Sequence, residues 1–173
     1  MNNYPAFYEK HTAFLRRLAK PDRLLSVLDK VVTGAIALLY ATGVVLAAFQ
    51  VFGAYLPTLL ALCVPPASSL VVVLLLRLLI KRKRPYLADT PIHPICKKEK
   101  DSPSFPSRHT VSAFSIGVSL CILSPTALWL GIPVLALGMA LGYLRFLCGY
   151  HYPSDLLGGA GIGAAIGAIA FLF

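Results

Sequence analysis

Charge is what this sequence has least of. Only 13% of its 173 residues are charged, against about 25% in soluble domains, and the mean hydropathy is +0.74. With 57% hydrophobic residues gathered in several long runs, that deficit excludes an ordinary soluble domain and indicates a polytopic membrane protein. Acids are the scarcer charge, 7 against 16 Lys and Arg, which leaves a formal net charge of +9. A basic excess can mark a nucleic-acid binder, but the apolar runs set that class aside. Cytoplasmic loops, contacts with anionic lipid or an anionic substrate account for it. Cysteine is sparse too. Cys63, Cys96, Cys121 and Cys148 show no C-x-x-C pairing and no metal-ligand spacing, so neither a disulfide nor a zinc site is expected. Residues 1–30 contain no apolar run and charges recur through them, so no cleavable signal peptide is expected.

What is present is an all-α pattern, a membrane helix bundle of about five spans. Residues 1–30 mix aromatic and basic side chains, such as Tyr4, Phe7, Tyr8, Arg16 and Arg17. They read either as an interfacial amphipathic segment or as a flexible basic tail. Residues 31–173 form the membrane domain. Its spans run over about 31–50, 55–80, 109–123, 127–147 and 155–173. Pro65 and Pro66 are expected to kink the second span, and Pro85 to stop it. The one long polar loop is 86–108, holding Asp89, His93, Lys97, Lys98, Glu99, Lys100 and Asp101. In the last span Gly159, Gly163 and Gly167 recur every four residues, which places them on one packing face.

Alternation of the spans brings four span ends to one side. Those ends carry Arg77, Lys81 and Arg84; Ser107, Arg108 and His109; Arg145; and His151 with Asp155. Arg77 is the telling residue. It lies inside an apolar run, where an arginine at mid-membrane costs about 2.5–3.5 kcal/mol. Arg84 follows seven residues later. On a continuous helix the two share a face roughly 10 Å apart along the axis. Asp155 stands one helical turn from His151, where a carboxylate can fix the tautomer of an imidazole. His109 opens a span, where free N–H groups can bind an anion.

Such a cluster suits phosphoryl transfer without a metal. Guanidinium groups hold the phosphate oxygens, one histidine attacks phosphorus, and the other protonates the leaving oxygen. Asp155 is the only acid at a span end, so no carboxylate set for Mg²⁺ is expected, and no other cofactor. His11 and His93 fit no pattern and read as tail and loop residues.

Together these segments resemble the type 2 phosphatidic acid phosphatase family. Its first signature is Lys, six residues, Arg-Pro; here it is Arg77, six residues, Arg84-Pro85. The second, Pro-Ser-Gly-His, is here Pro106-Ser107-Arg108-His109. The third, Ser-Arg, five residues, His, three residues, Asp, is here Leu144-Arg145, His151 and Asp155. The resemblance covers residues 77–155. It implies an integral membrane phosphatase acting on a lipid phosphate or diphosphate, with His151 as nucleophile through a phosphohistidine. Asp155 would orient it, and His109 would be acid and then base. Arg77, Arg84, Arg145, Ser107 and the amide of Arg108 would bind the phosphate. Arginine for lysine at 77 keeps the charge and changes the shape. Leu144 lacks a hydroxyl, and Arg108 replaces a glycine with a cation.

Two alternatives stay open: a phosphotransferase that passes the phosphoryl group to another lipid-linked acceptor, and a non-catalytic anion-binding scaffold. All sixteen Lys and Arg fall on the N-terminal segment or the site side. That places the site on the cytoplasmic face of the cell membrane by the positive-inside rule.

Overall fold

A computed structural model describes residues 3–89, 91–97 and 102–173. Thr90 and the Lys98–Asp101 part of the polar loop lie outside the described residues. Among the described residues the regular structure is all helical, with no strand: α1 (Tyr4–Thr12), α2 (Pro21–Ala48), α3 (Tyr55–Ile80), α4 (Arg108–Leu123), α5 (Leu128–Leu147) and α6 (Pro153–Gly167). Short 3₁₀ turns follow α1, α3, α4 and α6. Four helical stretches are long and apolar enough to cross a membrane, and α4 is a shorter apolar helix. By length and composition these four can cross a bilayer.

The first span begins earlier than its apolar run. Pro21, with φ already suited to a first turn, starts α2. A division at 30/31 therefore falls inside a continuous helix, and the charged residues Asp22, Arg23, Asp29 and Lys30 belong to α2. Nor is the N-terminus a free tail. α1 buries Tyr4, Tyr8 and Thr12 against the loops and the end of α5. The Tyr8 hydroxyl donates to Leu147 O at 2.8 Å and accepts from Ile95 N at 3.3 Å.

The proline pair sits inside α3. A proline has no N–H for the carbonyl four residues back, and the carbonyl that Pro66 leaves, Leu62 O, accepts from the Tyr40 hydroxyl of α2 at 3.2 Å. One substitute hydrogen bond thus ties α2 to α3 at their weak point.

The short helix α4 lies at the centre, packed on α3, α5 and α6. The glycine stripe of α6 is what lets it in. A Cβ on Gly163 would strike Val111 O of α4 and stand 2.9 Å from Phe114 Cβ; one on Gly167 would stand 2.7 Å from Ser115 O. These neighbours are mostly backbone and cannot yield without parting the helices. We therefore expect Gly163→Ala to destabilise the protein by about 1–3 kcal/mol, seen as a lower thermal midpoint in detergent. Gly161, with nothing within 4 Å of its Cβ position, is the control, and Gly161→Ala should not lower it. Equal melting of the two variants would show that the stripe is not a tight contact.

Candidate active site

The α4–α6 contact aligns the N-terminal ends of the two helices. Ser107 N donates to Asp155 O at 3.3 Å. This one bond joins the segment before His109 to the segment bearing His151.

α3 does not run on to Pro85. It ends at Ile80, and Lys81 turns into the left-handed region at φ 45° while its N–H bonds Arg77 O. Arg84 is therefore off the helix, in extended backbone, and the expectation that Arg77 and Arg84 share a helix face is corrected. They converge another way, on the segment before α4. Arg77 donates through Nε and Nη2 to Pro106 O at 3.2 and 2.9 Å. Arg84 donates to Ser102 O at 3.0 Å and Ser102 Oγ at 2.9 Å. Both guanidinium groups are buried, and both act on His151 as nearby positive charges. Lys81, by contrast, is exposed.

His151 and Asp155 are both buried, at 2% and 0% exposure. His151 Nδ1 lies 3.7 Å from Asp155 Oδ2, within ion-pair range but beyond hydrogen-bond length. The carboxylate is held from two other directions. Tyr152 N donates to Oδ2 at 3.0 Å, and Arg82 Nη1 donates to Oδ1 at 2.7 Å. Burial lowers the pKa of His151 below its usual 6.5; Asp155 opposes this, and Arg84 and Arg77 add to it. The imidazole is thus neutral at neutral pH. With Nδ1 turned to Asp155, Nε2 carries the lone pair.

Arg82 is a residue that the sequence pattern does not single out, since it looks like one more loop cation in Lys81-Arg82-Lys83-Arg84. Besides Asp155 it bonds Ser154 Oγ at 2.8 Å and lies 4.2 Å over the Tyr152 ring. The second such residue is Asp29 of α2. Its Oδ2 accepts from Arg145 Nη2 at 2.9 Å. Arg145 Nε is 2.7 Å from Oδ1 at an angle unsuited to a hydrogen bond, so that contact is one of charge alone. Asp155 is therefore not the only acid at the site end. The reason is that α2 extends back past residue 30 and carries Asp29 there.

Arg145 also meets His109, with Nη2 3.1 Å from Nε2. A guanidinium only donates, so Nε2 is the acceptor, and neutral His109 carries its proton on Nδ1. The two tyrosines beside His151 both underlie arginines: Tyr150 lies 5.5 Å below Arg145 as Tyr152 lies below Arg82.

Ser107 is fully buried and accepts from Thr110 Oγ1 at 3.0 Å. Arg108 is exposed. With His109 it lines a cavity of about 400 Å³, together with Ile36, Tyr40, Leu70 and Leu141 of α2, α3 and α5. His11 packs on Phe7, and His93 offers its carbonyl to Arg16; neither joins the cluster. Among the described residues no three of His, Cys, Asp and Glu gather as a metal site would require.

Apolar helices with arginines and two histidines collected at one end make a membrane helix bundle with one basic, polar end. Residues 54–173 match the family model described as the PAP2 superfamily, and the chain belongs to that superfamily. It is 32% identical over 106 residues to the undecaprenyl-diphosphatase BcrC of Bacillus subtilis (strain 168), covering 61% of this chain and 52% of the relative. It is 36% identical over 102 residues to a decaprenylphosphoryl-5-phosphoribose phosphatase of Mycobacterium tuberculosis (strain ATCC 25618 / H37Rv), covering 57% and 51%. The chain thus spans about half the length of the curated relatives it matches. The fold is shared with the crystal structure of Aquifex aeolicus LpxE, at TM-score 0.70 and 20% identity over 97% of this chain and 94% of that one. It is shared also with a PAP2 type phosphatidylglycerolphosphate phosphatase from Bacillus subtilis, at TM-score 0.66 and 20% identity over 98% and 85%. Asp29 lies outside the residues that match the family model.

Proposed function

We propose that this chain is an integral membrane phosphatase that hydrolyses a lipid phosphate or diphosphate through a phosphohistidine on His151. The observation that carries this reading is the setting of His151. It is a buried, neutral imidazole backed by Asp155, with two buried arginines close by. His151 Nε2 attacks phosphorus, and the leaving oxygen takes a proton from His109, which enters this step as the imidazolium. Water then attacks the phosphohistidine, His109 takes a proton from it, and inorganic phosphate leaves. Arg77, Arg84 and Arg145, with Ser107 and the Arg108 amide, hold the phosphate oxygens. The apolar cavity beside His109 receives the start of the lipid chain.

No metal is needed in this scheme. In support, the two acids at the site among the described residues are each committed to an arginine, Asp155 to Arg82 and Asp29 to Arg145, while arginines supply the positive charge a metal would bring. The test is phosphate release by purified protein on a panel of lipid phosphates with excess chelator. Polyprenyl phosphates and diphosphates come first, because two relatives are named for prenyl-linked substrates. Release that persists in chelator is expected. Its abolition, with recovery on adding a divalent cation, would sink the metal-free scheme, and no release from any member would sink the function.

Because burial depresses the pKa of His151, the nucleophile stays unprotonated on the acid side of neutrality. The acid limb of kcat/KM, corrected for titration of the substrate, should fall below pH 6.5. An acid limb above 6.5 would mean a His151 stabilised in its charged form.

The site faces the cytoplasm in this proposal, and residues 1–30 lie at that membrane surface. Every Lys and Arg falls on the N-terminal segment or the site side. Cys96 is buried and makes a poor label. Asp89, with its side chain 93% exposed, is the better position. Asp89→Cys should resist a membrane-impermeant maleimide in intact cells, and ready labelling would reverse the orientation.

A further inference from the structure

Two of the cysteines meet, although 52 positions separate them. Cys96, in the loop over 91–97, and Cys148, just past the end of α5, have Sγ atoms 2.7 Å apart. Both are buried, at 3% and 1% exposure. The main chains close at the same point, since Cys96 N donates to Cys148 O at 3.4 Å. Tyr8 fastens both flanks, donating to Leu147 O and accepting from Ile95 N. Gly149, at φ +86°, lets the loop come this near: a Cβ there would stand 2.8 Å from Pro94 Cβ. Cys63 faces outward from α3, and Cys121 lies in α4.

The place of this pair in the fold gives it consequence. Cys148 shares a cavity of about 140 Å³ with Arg145, Asp29 and Tyr150, and it lies midway in sequence between Arg145 and His151. The two thiols also differ. The hydrogen bond between the two thiols lowers the pKa of Cys96, whereas that bond and then burial raise the pKa of Cys148. Cys96 is the readier nucleophile.

We propose that Cys96 and Cys148 are a redox-active dithiol that closes to an intramolecular disulfide and clamps loop 91–97 to the turn carrying Arg145 and His151. The oxidant is hydrogen peroxide, small enough for a thiol at 3% exposure. The Cys96 thiolate attacks one of its oxygens, the O–O bond breaks, hydroxide leaves, and Cys96 becomes a sulfenic acid. Cys148 then gives up its proton and attacks Cys96 Sγ, and the sulfenic oxygen leaves as water. The protein loses two electrons and two protons, and the peroxide becomes two waters. The main chains are already hydrogen-bonded across the pair, so closure to an S–S bond of about 2.0 Å leaves the site geometry in place. On the cytoplasmic face the dithiol is the resting state, and the disulfide marks oxidising conditions. The clamp is thus a stabilising device, and it does not depend on the catalytic reading.

The test is thiol counting on the full purified chain after incubation with hydrogen peroxide, with denaturation and a maleimide mass tag. The wild type should lose two of its four taggable thiols, yield a peptide linking Cys96 to Cys148, and regain all four in dithiothreitol. Its thermal midpoint should rise by roughly 5–10 °C on oxidation. Cys148→Ser should stop at a sulfenic acid on Cys96, and neither it nor Cys96→Ser should show the rise. Four taggable thiols in the oxidised wild type would overturn the proposal, as would a bond between two chains or one using Cys63 or Cys121. The wild-type count stands even if a serine variant fails to fold.

Discussion

His151→Ala is expected to lower the rate of phosphate release by about 10⁴-fold or more without loss of the fold. The size of the effect follows from the role. If the phosphoryl group rests on Nε2 between two displacements, removing the nitrogen removes the covalent route, and only positioning by the arginines remains. The fold should survive because His151 gives the scaffold little. Its Nδ1 has no hydrogen-bond partner among the described residues, being 3.7 Å from the Asp155 carboxylate, and Asp155 keeps its bonds to Tyr152 N and Arg82. His109→Ala should cost less, about 10²–10⁴-fold, because water or buffer can supply a proton. Unchanged release in both variants would show that the two histidines do no chemistry here. The anion-binding scaffold would then be the better reading.

Asp155→Asn is the second large effect, and it isolates orientation from charge. The substituted side chain has nearly the same shape, and its one oxygen keeps the bond from Arg82 at the Oδ1 position; the bond from Tyr152 N, made to the oxygen that faces His151, is lost. Its amide, however, can donate to His151 Nδ1, which favours the tautomer with the proton on Nε2. That tautomer has no lone pair to attack phosphorus. We expect kcat to fall by about 10²–10⁴-fold, as for a triad aspartate replaced by asparagine, with KM nearly unchanged since the arginines remain. The double variant His151→Ala with Asp155→Asn should be no slower than His151→Ala alone, because the two act as a unit. A further multiplicative loss in the double variant would assign Asp155 a separate task, such as direct contact with substrate.

The ends of the spans are readable in the sequence because a charge inside an apolar run has few innocent explanations. Arg77 and Arg145 stand out for that reason, and both are buried at the site. Spacing is equally plain in α6, where a four-residue glycine period becomes the contact face for α4. What spacing does not reveal is any feature that depends on one backbone torsion. Lys81 adopts φ 45°, an uncommon state for a residue with a Cβ. That turn moves Arg84 off the helix and brings Arg82 to Asp155. In a run of four cations nothing in the letters separates the partner of Asp155 from a membrane-surface charge. Asp29 is hidden by a different rule. Hydropathy marks where an apolar run starts, while a helix starts at its cap, and here Pro21 lies well before Val31. The Cys96–Cys148 contact is hidden most thoroughly. It is made by two loops that meet only after α1, α5 and the polar loop have packed.

One measurement bears most directly on the chemistry: protein mixed with a substrate from the panel, quenched in alkali within a turnover, and mapped by mass spectrometry. The expected result is a phosphoryl group on His151. It should accumulate when His109→Ala slows the attack of water, and it should be absent from His151→Ala. Phosphate on another residue, or turnover with no phosphoprotein in either form, would contradict the phosphohistidine route.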